Sequence, residues 1–402
     1  MKQMEKTPKS MRLHIGIFGR TNVGKSSLIN ILTHQETSIV SSVAGTTTDA
    51  VEKSMEMLPL GPVVFIDTAG IDDTTELGEK RTEKTEKIIA RCDVAIIVSD
   101  FNGWTKYETE LAKTFKEKSV PILAVVNKSD VSKISEEKLR EISAFADKIE
   151  EISAKKDKDI PSRIRETLIR CVPEEFINPP AILENLVTPE DVVVLVTPID
   201  KEAPKGRLIL PQVNVLRELL DNRCISVVTT EKTLDKSLKS LKNPPKLVIT
   251  DSQAFKQVSE IVPKSVPLTS FSILFARLKG DIKEFSDGVR AIADLKDGDK
   301  ILICESCTHH AIEDDIARVK IPKLVRNKTG KDLIFEQISS HEFPKNIRNY
   351  ALIIHCGGCM TNRREILSRI AKAKEAKIPI TNYGIAISYC LGILDRAIQP
   401  LN

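Results

Sequence analysis

Residues 19–27 read GRTNVGKSS. The stretch follows the apolar run LHIGIFG (13–19) and leads into SSLINILTH (26–34), where apolar positions recur at helical spacing. A strand, then a loop of GxxxxGK[ST] spacing from Gly19 to Ser26, then a helix lets backbone N–H groups wrap phosphate oxygens. In that arrangement Lys25 reaches the β- and γ-phosphates and the Ser26 hydroxyl binds Mg²⁺. The helix also aims its positive end at the anion. The loop residues Gly19, Asn22, Val23, Gly24, Lys25, Ser26 and Ser27 are therefore the candidate phosphate-binding set.

Working outward, VVFIDTAG (63–70), VAIIVSD (94–100) and PILAVVNKSD (121–130) read as buried strands separated by charged, helical stretches. That alternation predicts a mostly parallel sheet with helices on both faces. DTAG ends one strand, where Asp67 can hold Mg²⁺ through water and the Gly70 amide can sense the γ-phosphate. NKSD ends another. The Asp130 carboxylate can accept two hydrogen bonds from guanine N1–H and the N2 amine, a donor pair that adenine lacks. Asn127 and Lys128 belong to the same element. SAK brings Ser153 and Ala154, with a backbone N–H for guanine O6. The expected nucleotide is GTP or GDP.

The order of these elements resembles the translation-factor class of small GTPases, and more narrowly its TrmE/Era-like branch. AGTTTD (44–49) matches that branch's switch segment, and the resemblance implies Thr47 as the Mg²⁺ and γ-phosphate ligand. Thr48 stands where the branch often has Arg. Ile71 stands where Ras-like GTPases carry a water-orienting Gln, so hydrolysis is expected to be slow or to use another device. Members of the branch often use K⁺ held by an asparagine in the phosphate loop, and Asn22 stands at that position. The expected catalytic set is Lys25, Asn22, Thr47 and Gly70.

A chain of 402 residues exceeds one ordinary core. The reading is α/β with three domains. They are a P-loop GTPase domain at 1–172, a proline-rich linker at 173–187, a small α/β dimerisation domain at 188–263, and a third α/β domain at 264–402. The middle segment, about 75 residues long, would be marginal alone and is expected to pair with a second copy of itself, giving a homodimer. A net charge of +4 over this length and 4% aromatic residues do not argue for a nucleic-acid surface. The basic N-terminus lacks the apolar core of a secretory signal, and no apolar run reaches the length of a membrane span. The expectation is a cytoplasmic protein with reduced thiols, no membrane and no nucleic acid.

Eight cysteines in that setting point to metal or redox chemistry. Cys92, Cys171 and Cys224 are scattered singly and read as small buried apolar residues. In the third domain the predicted strands KILICES, YALIIHC and IPITNYG run into CTHH, GGCM and GIAISYC. The ligand crevice of a parallel sheet lies at the carboxyl ends of its strands, so these segments are expected to converge. Three of the six histidines (His309, His310 and His355) flank the paired cysteines of CESCTHH (304–310) and HCGGC (355–359). The spacing favours a metal over a redox dithiol and leaves zinc and iron–sulfur both open.

A TrmE-like GTP domain, a middle α/β module and a C-x-H…H-C-x-x-C site together resemble the HydF family of FeFe-hydrogenase maturation GTPases along essentially the whole chain. The resemblance implies a 4Fe–4S cluster on Cys307, Cys356 and Cys359, with a fourth iron left to an exchangeable ligand. His309 and His355 are the possible fourth ligands, with Glu305 or water as others. It further implies a carrier that receives a diiron precursor from radical-SAM maturases and passes it to apo FeFe-hydrogenase. Cys304 and His310 read as structural, Cys390 as a buried helix residue, and Tyr383 and Tyr389 as pocket lining. The competing reading is a TrmE/Era-like GTPase of RNA modification or ribosome assembly with a structural zinc site. It lacks the basic C-terminal surface such a protein needs.

Overall fold

The computed structural model describes residues 9–34, 41–43, 51–58, 60–68, 85–173, 180–199, 208–305, 316–339, 343–344 and 346–401. Thr47, Thr48, Gly70, Ile71, Cys307, His309 and His310 lie outside the described residues. The chain divides into two compact units, Met1–Pro179 and Pro180–Asn402, and the cut falls within the segment read as a linker.

The first unit is built on seven strands: β1 Leu13–Phe18, β2 Ser41–Val43, β3 Val51–Met57, β4 Gly61–Asp67, β5 Val94–Asp100, β6 Ile122–Asn127 and β7 Lys148–Glu151. Their order is β2-β3-β4-β1-β5-β6-β7. Every residue of β1 and β6 is buried, as a strand covered on both faces requires, and this is why both read as largely apolar runs broken only by His14 and Asn127. β3 runs antiparallel to β4 and β2, and the rest of the sheet is parallel. The alternating VEKSMEM of β3 and the short β2 carry no buried-strand signal in sequence. The register sets Ile17 beside Asp67 and Asp100 beside Asn127, so the carboxyl ends of β1, β4, β5 and β6 form one edge. The helices α1 Lys25–His34, α2 Lys106–Glu117 and α3 Ile160–Cys171 belong to this unit.

The second unit holds two four-stranded parallel sheets. β8 Val192–Val196, β9 Ile225–Thr229, β10 Leu247–Thr250 and β11 Leu268–Ser270 are ordered β11-β10-β8-β9. β11 lies past residue 263, the end read from sequence for this domain, because three residues of strand are too few to leave a pattern. β12 Lys300–Glu305, β13 Ile334–Ser339, β14 Leu352–His355 and β15 Ile380–Asn382 are ordered β13-β12-β14-β15. β13, with the mixed sequence IFEQIS at the sheet edge, is a strand that the apolar pattern does not reveal.

The helices of this unit that bear on the sites are α4 Leu210–Asp221, α5 Phe271–Lys279, α6 Arg363–Ala376 and α7 Tyr383–Cys390. α5 is apolar on both sides. Phe271, Leu274 and Phe275 pack with Val193, Leu195 and Val215 of the first sheet's core. Ile273 and Ala276 join the core that contains Ile301, Ile303 and Ile354 of the second. The shared helix removes the size problem of the small middle module, because its core does not end at its own sheet.

Candidate functional site

The phosphate loop takes its shape from three residues with positive φ: Gly19 at 137°, Asn22 at 65° and Gly24 at 105°. A Cβ on Gly24 would sit 2.2 Å from Asn127 Nδ2, and one on Gly19 would sit 2.1 Å from the Val98 carbonyl oxygen. Asn22 is exposed and adopts the left-handed region that asparagine tolerates. The buried Lys25 ammonium folds back over its own loop, donating to the Gly19 carbonyl and, at 2.9 Å, to that of Arg20. Ser26 and Ser27 are exposed at the start of α1, while Val23 is buried.

Asn127 braces the site from the side. Its Nδ2 donates to the Val23 carbonyl at 2.9 Å, and its Oδ1 accepts the Ala154 N–H at 3.0 Å. This bond ties the SAK motif to the NKSD motif. Ser153 donates its hydroxyl to Asp130 at 2.8 Å, and this bond holds the Asp130 carboxyl below its ordinary range. Asp130 is thus a fixed carboxylate at the base end of the site. Lys128, at φ 63°, lies 3.8 Å from Asp100. Thr68, directly after Asp67, donates its hydroxyl to the Ile17 carbonyl at 2.7 Å and ties the DTAG strand end to β1.

A residue outside the sequence-derived set, Glu108 of α2, anchors the loop through Arg20. Arg20 Nε donates to Glu108 at 2.9 Å. The fully buried Glu108 also accepts the Thr105 N–H at 2.9 Å and the Thr105 hydroxyl at 2.6 Å, as a capping box does. The T-x-x-E spacing of TKYE is the signal that could have found it.

At the second site the register aligns Cys304 with His355, and His355 with Asn382. β12, β14 and β15 therefore end level at one edge of the sheet. Cys356 continues that edge, its N–H donating to the Cys304 carbonyl at 2.9 Å. Asn382 Nδ2 donates to the Cys356 carbonyl at 3.3 Å. The Gly358 N–H points at Cys356 Sγ, 3.4 Å away. Gly358 has φ 64°, and a Cβ there would lie 2.3 Å from Ile366 Cδ1, so the tight turn between the thiols requires glycine.

His355, read as a possible fourth ligand, has protein partners on both ring nitrogens. It is fully buried; Nδ1–H donates to the Cys356 carbonyl at 2.8 Å, and Nε2 accepts from Arg369 at 2.9 Å. Burial and the Arg369 charge push the imidazole down to about 4, so it is neutral with both nitrogens in use. Arg369 is in turn held by buried Glu365 at 2.6 Å. Cys304 is fully buried, and burial pushes its thiol up to about 12, which disfavours a thiolate ligand. Cys390 is pushed up to about 11, again by burial. Tyr383 is buried at the start of α7, and the Tyr389 ring lies 5.6 Å from the Lys328 ammonium.

Lys279 was absent from the sequence reading. Its ammonium, 2% exposed, donates to the carbonyls of Gly358 and Thr361, each at 2.8 Å. Burial pushes it down to about 8, opposed by the charges of Cys359 and Cys356. Its only sequence signal is a lysine closing the apolar helix FSILFARLK.

Among the described residues no group of three His, Cys, Asp or Glu side chains could hold a metal ion, Cys307 and His309 lying outside them. Two cysteines on a glycine turn, an amide aimed at one sulfur and a cation beneath the turn fit a cluster held by thiolates.

Comparison with known proteins divides the chain the same way. Residues 14–128 match the model of the 50S ribosome-binding GTPase family, 182–280 that of the hydrogen maturase F dimerization domain, and 283–400 that of its tetramerization domain. The tRNA modification GTPase MnmE of Prochlorococcus marinus is 40% identical over 121 residues, covering 30% of this chain and 26% of that protein. The GTPase Der of a Nitratiruptor species is 37% identical over 143 residues, covering 34% of this chain and 31% of its own. The chain thus spans about a quarter of the length of the MnmE relative. Among solved structures, Aquifex aeolicus Era bound to GDP and AlF4⁻ is 21% identical, with a TM-score of 0.33, over 54% of this chain and 93% of that one. No helix among the described residues is long and apolar enough to cross a membrane.

Proposed function

We propose a function from one premise: this chain belongs to the hydrogen maturase F family, with a GTPase domain ahead of that family's dimerization and tetramerization domains. The function is that of a GTP-hydrolysing carrier. It binds a 4Fe–4S cluster through Cys307, Cys356 and Cys359, accepts a diiron precursor from radical-SAM maturases, and delivers it to apo FeFe-hydrogenase. The observation that supports this reading is the common edge of β12, β14 and β15, where Cys304, His355 and Asn382 stand in one register row and Cys356 follows directly. The cluster, when bound, would supply an iron with one exchangeable ligand position. The chain's own residues shape the turn at Gly358, donate an amide to Cys356 Sγ and bury the His355–Arg369–Glu365 set behind it. With His355 engaged on both nitrogens, the exchangeable ligand is drawn from His309, Glu305 or solvent.

At the nucleotide site, Lys25 leaves the loop carbonyls for the β- and γ-phosphates when GTP binds. Ser26, Thr47 and Asp67 hold Mg²⁺, and Asp130 reads guanine. Asn22, exposed on the loop, holds K⁺ in place of an arginine finger, and Gly70 senses the γ-phosphate. Hydrolysis is slow, with Ile71 where a water-orienting Gln would stand. Anaerobic reconstitution with iron and sulfide tests the cluster reading. The wild-type chain should become brown and bleach on reduction, and Ser in place of Cys307, Cys356 or Cys359 should remove most of the iron. A colourless protein retaining zinc would refute it.

A further inference from the structure

Lys279 stands at the last position of α5, and its ammonium ends beneath the turn that carries Cys356 and Cys359. Burying an ammonium costs several kcal/mol unless charge and hydrogen bonds compensate it. The two carbonyls it binds, those of Gly358 and Thr361, bracket Cys359 in the chain and supply dipoles only. Among the described residues no carboxylate pairs with it. The other buried cation beside this turn, Arg369, already has Glu365 as its counter-charge. Among the described residues, the anionic groups whose charge acts on Lys279 are the sulfurs of Cys359 and Cys356 when ionised, and the Phe275 ring lies 5.8 Å from its ammonium.

We propose that Lys279 is a positioning residue of the cysteine turn. Its ammonium fixes the Gly358–Thr361 backbone and supplies the positive charge that compensates the thiolates of Cys356 and Cys359. The proposal rests on reading those cysteines as cluster ligands. It has two consequences. The turn is pre-formed, so ordering it costs little when iron arrives. A fixed cation at the edge of the cluster also stabilises the state with one more electron, which raises the reduction potential.

The test uses the full-length chain, reconstituted anaerobically, as wild type, Lys279→Met and Lys279→Gln. Met keeps the apolar stem and removes charge and donors; Gln removes the charge and keeps an N–H donor on a shorter stem. Thermal melting, iron per chain under a chelator challenge, and a redox titration followed by electron paramagnetic resonance are measured. Both variants should fold. Each should either retain iron roughly 10-fold less well or hold a cluster whose midpoint potential is more negative than that of the wild type. A folded Gln variant with wild-type iron retention and an unchanged potential would overturn the proposal. So would collapse of the fold in both variants, which would make Lys279 a core residue with no tie to the thiolates. Absence of iron from the wild type itself would be a different result: it removes the cluster reading, and this proposal with it.

Discussion

Asp130 accepts the Ser153 hydroxyl at 2.8 Å and stays ionised, so the group proposed to read the base is held by a residue 23 positions further along the chain. Replacing Asp130 by Asn turns one acceptor into a donor and leaves guanine N1–H facing it. GTP affinity should fall roughly 100-fold or more, and XTP should become the better ligand in a competition assay. An unchanged preference for GTP would remove Asp130 from the base site. His355 gives the opposite kind of prediction. Its loss strips the acceptor from Arg369 and the donor from the Cys356 carbonyl, so His355→Ala should cost about 2–4 kcal/mol of stability while iron per chain stays at the wild-type level. Stoichiometric loss of one iron in a chain that still melts normally would restore His355 as a ligand. Neither the hydroxyl behind Asp130 nor the arginine behind His355 is a neighbour in sequence.

β9 and α5 carry the predictions at the level of elements. β9 is an edge strand of the middle sheet, with Ile225 54% and Val228 46% exposed. Leu220 and Val213 of α4, the helix that packs beside it, are exposed as well. An unpaired strand edge with an apolar strip beside it invites a second copy to continue the sheet. This agrees with a segment that matches a dimerization domain. Ile225→Lys should therefore shift light scattering towards the monomer while GTP turnover of the chain stays unchanged, and a dimer of undiminished mass would exclude this edge. α5 bridges two cores, with Phe275 1% exposed in the first. Phe275→Ala should cost about 3–5 kcal/mol. Because the helix is shared, both sheets of 180–402 should lose structure in one transition when hydrogen exchange is followed; two separate transitions would mean that α5 does not couple them.

For the whole molecule, the nucleotide site and the cysteine edge belong to different compact units, so GTP is expected to switch partner affinity and not to take part in cluster chemistry. In a single-turnover assay, Lys25→Ala loaded with precursor should still activate apo-hydrogenase once and should fail only in releasing its partner. Loss of that first transfer would mean that nucleotide turnover drives the transfer itself. The sequence by itself determined the parallel sheet of the GTPase unit. β1, β5 and β6 are buried along nearly their whole length and so are mostly apolar, and the phosphate loop and the NKSD motif are contiguous runs at their carboxyl ends. It also marked both cysteine pairs, because two-residue spacing is local. The tertiary structure alone decided what register and burial produce. Level strand ends bring Cys304, His355 and Asn382 into one row from positions 27 or more residues apart. Burial makes His355 a neutral bridge to Arg369. The packing of α5 across two sheets carries Lys279 beneath a turn 79 residues further along the chain. No window of sequence contains these pairings, because desolvation and cross-strand register depend on neighbours that only folding supplies.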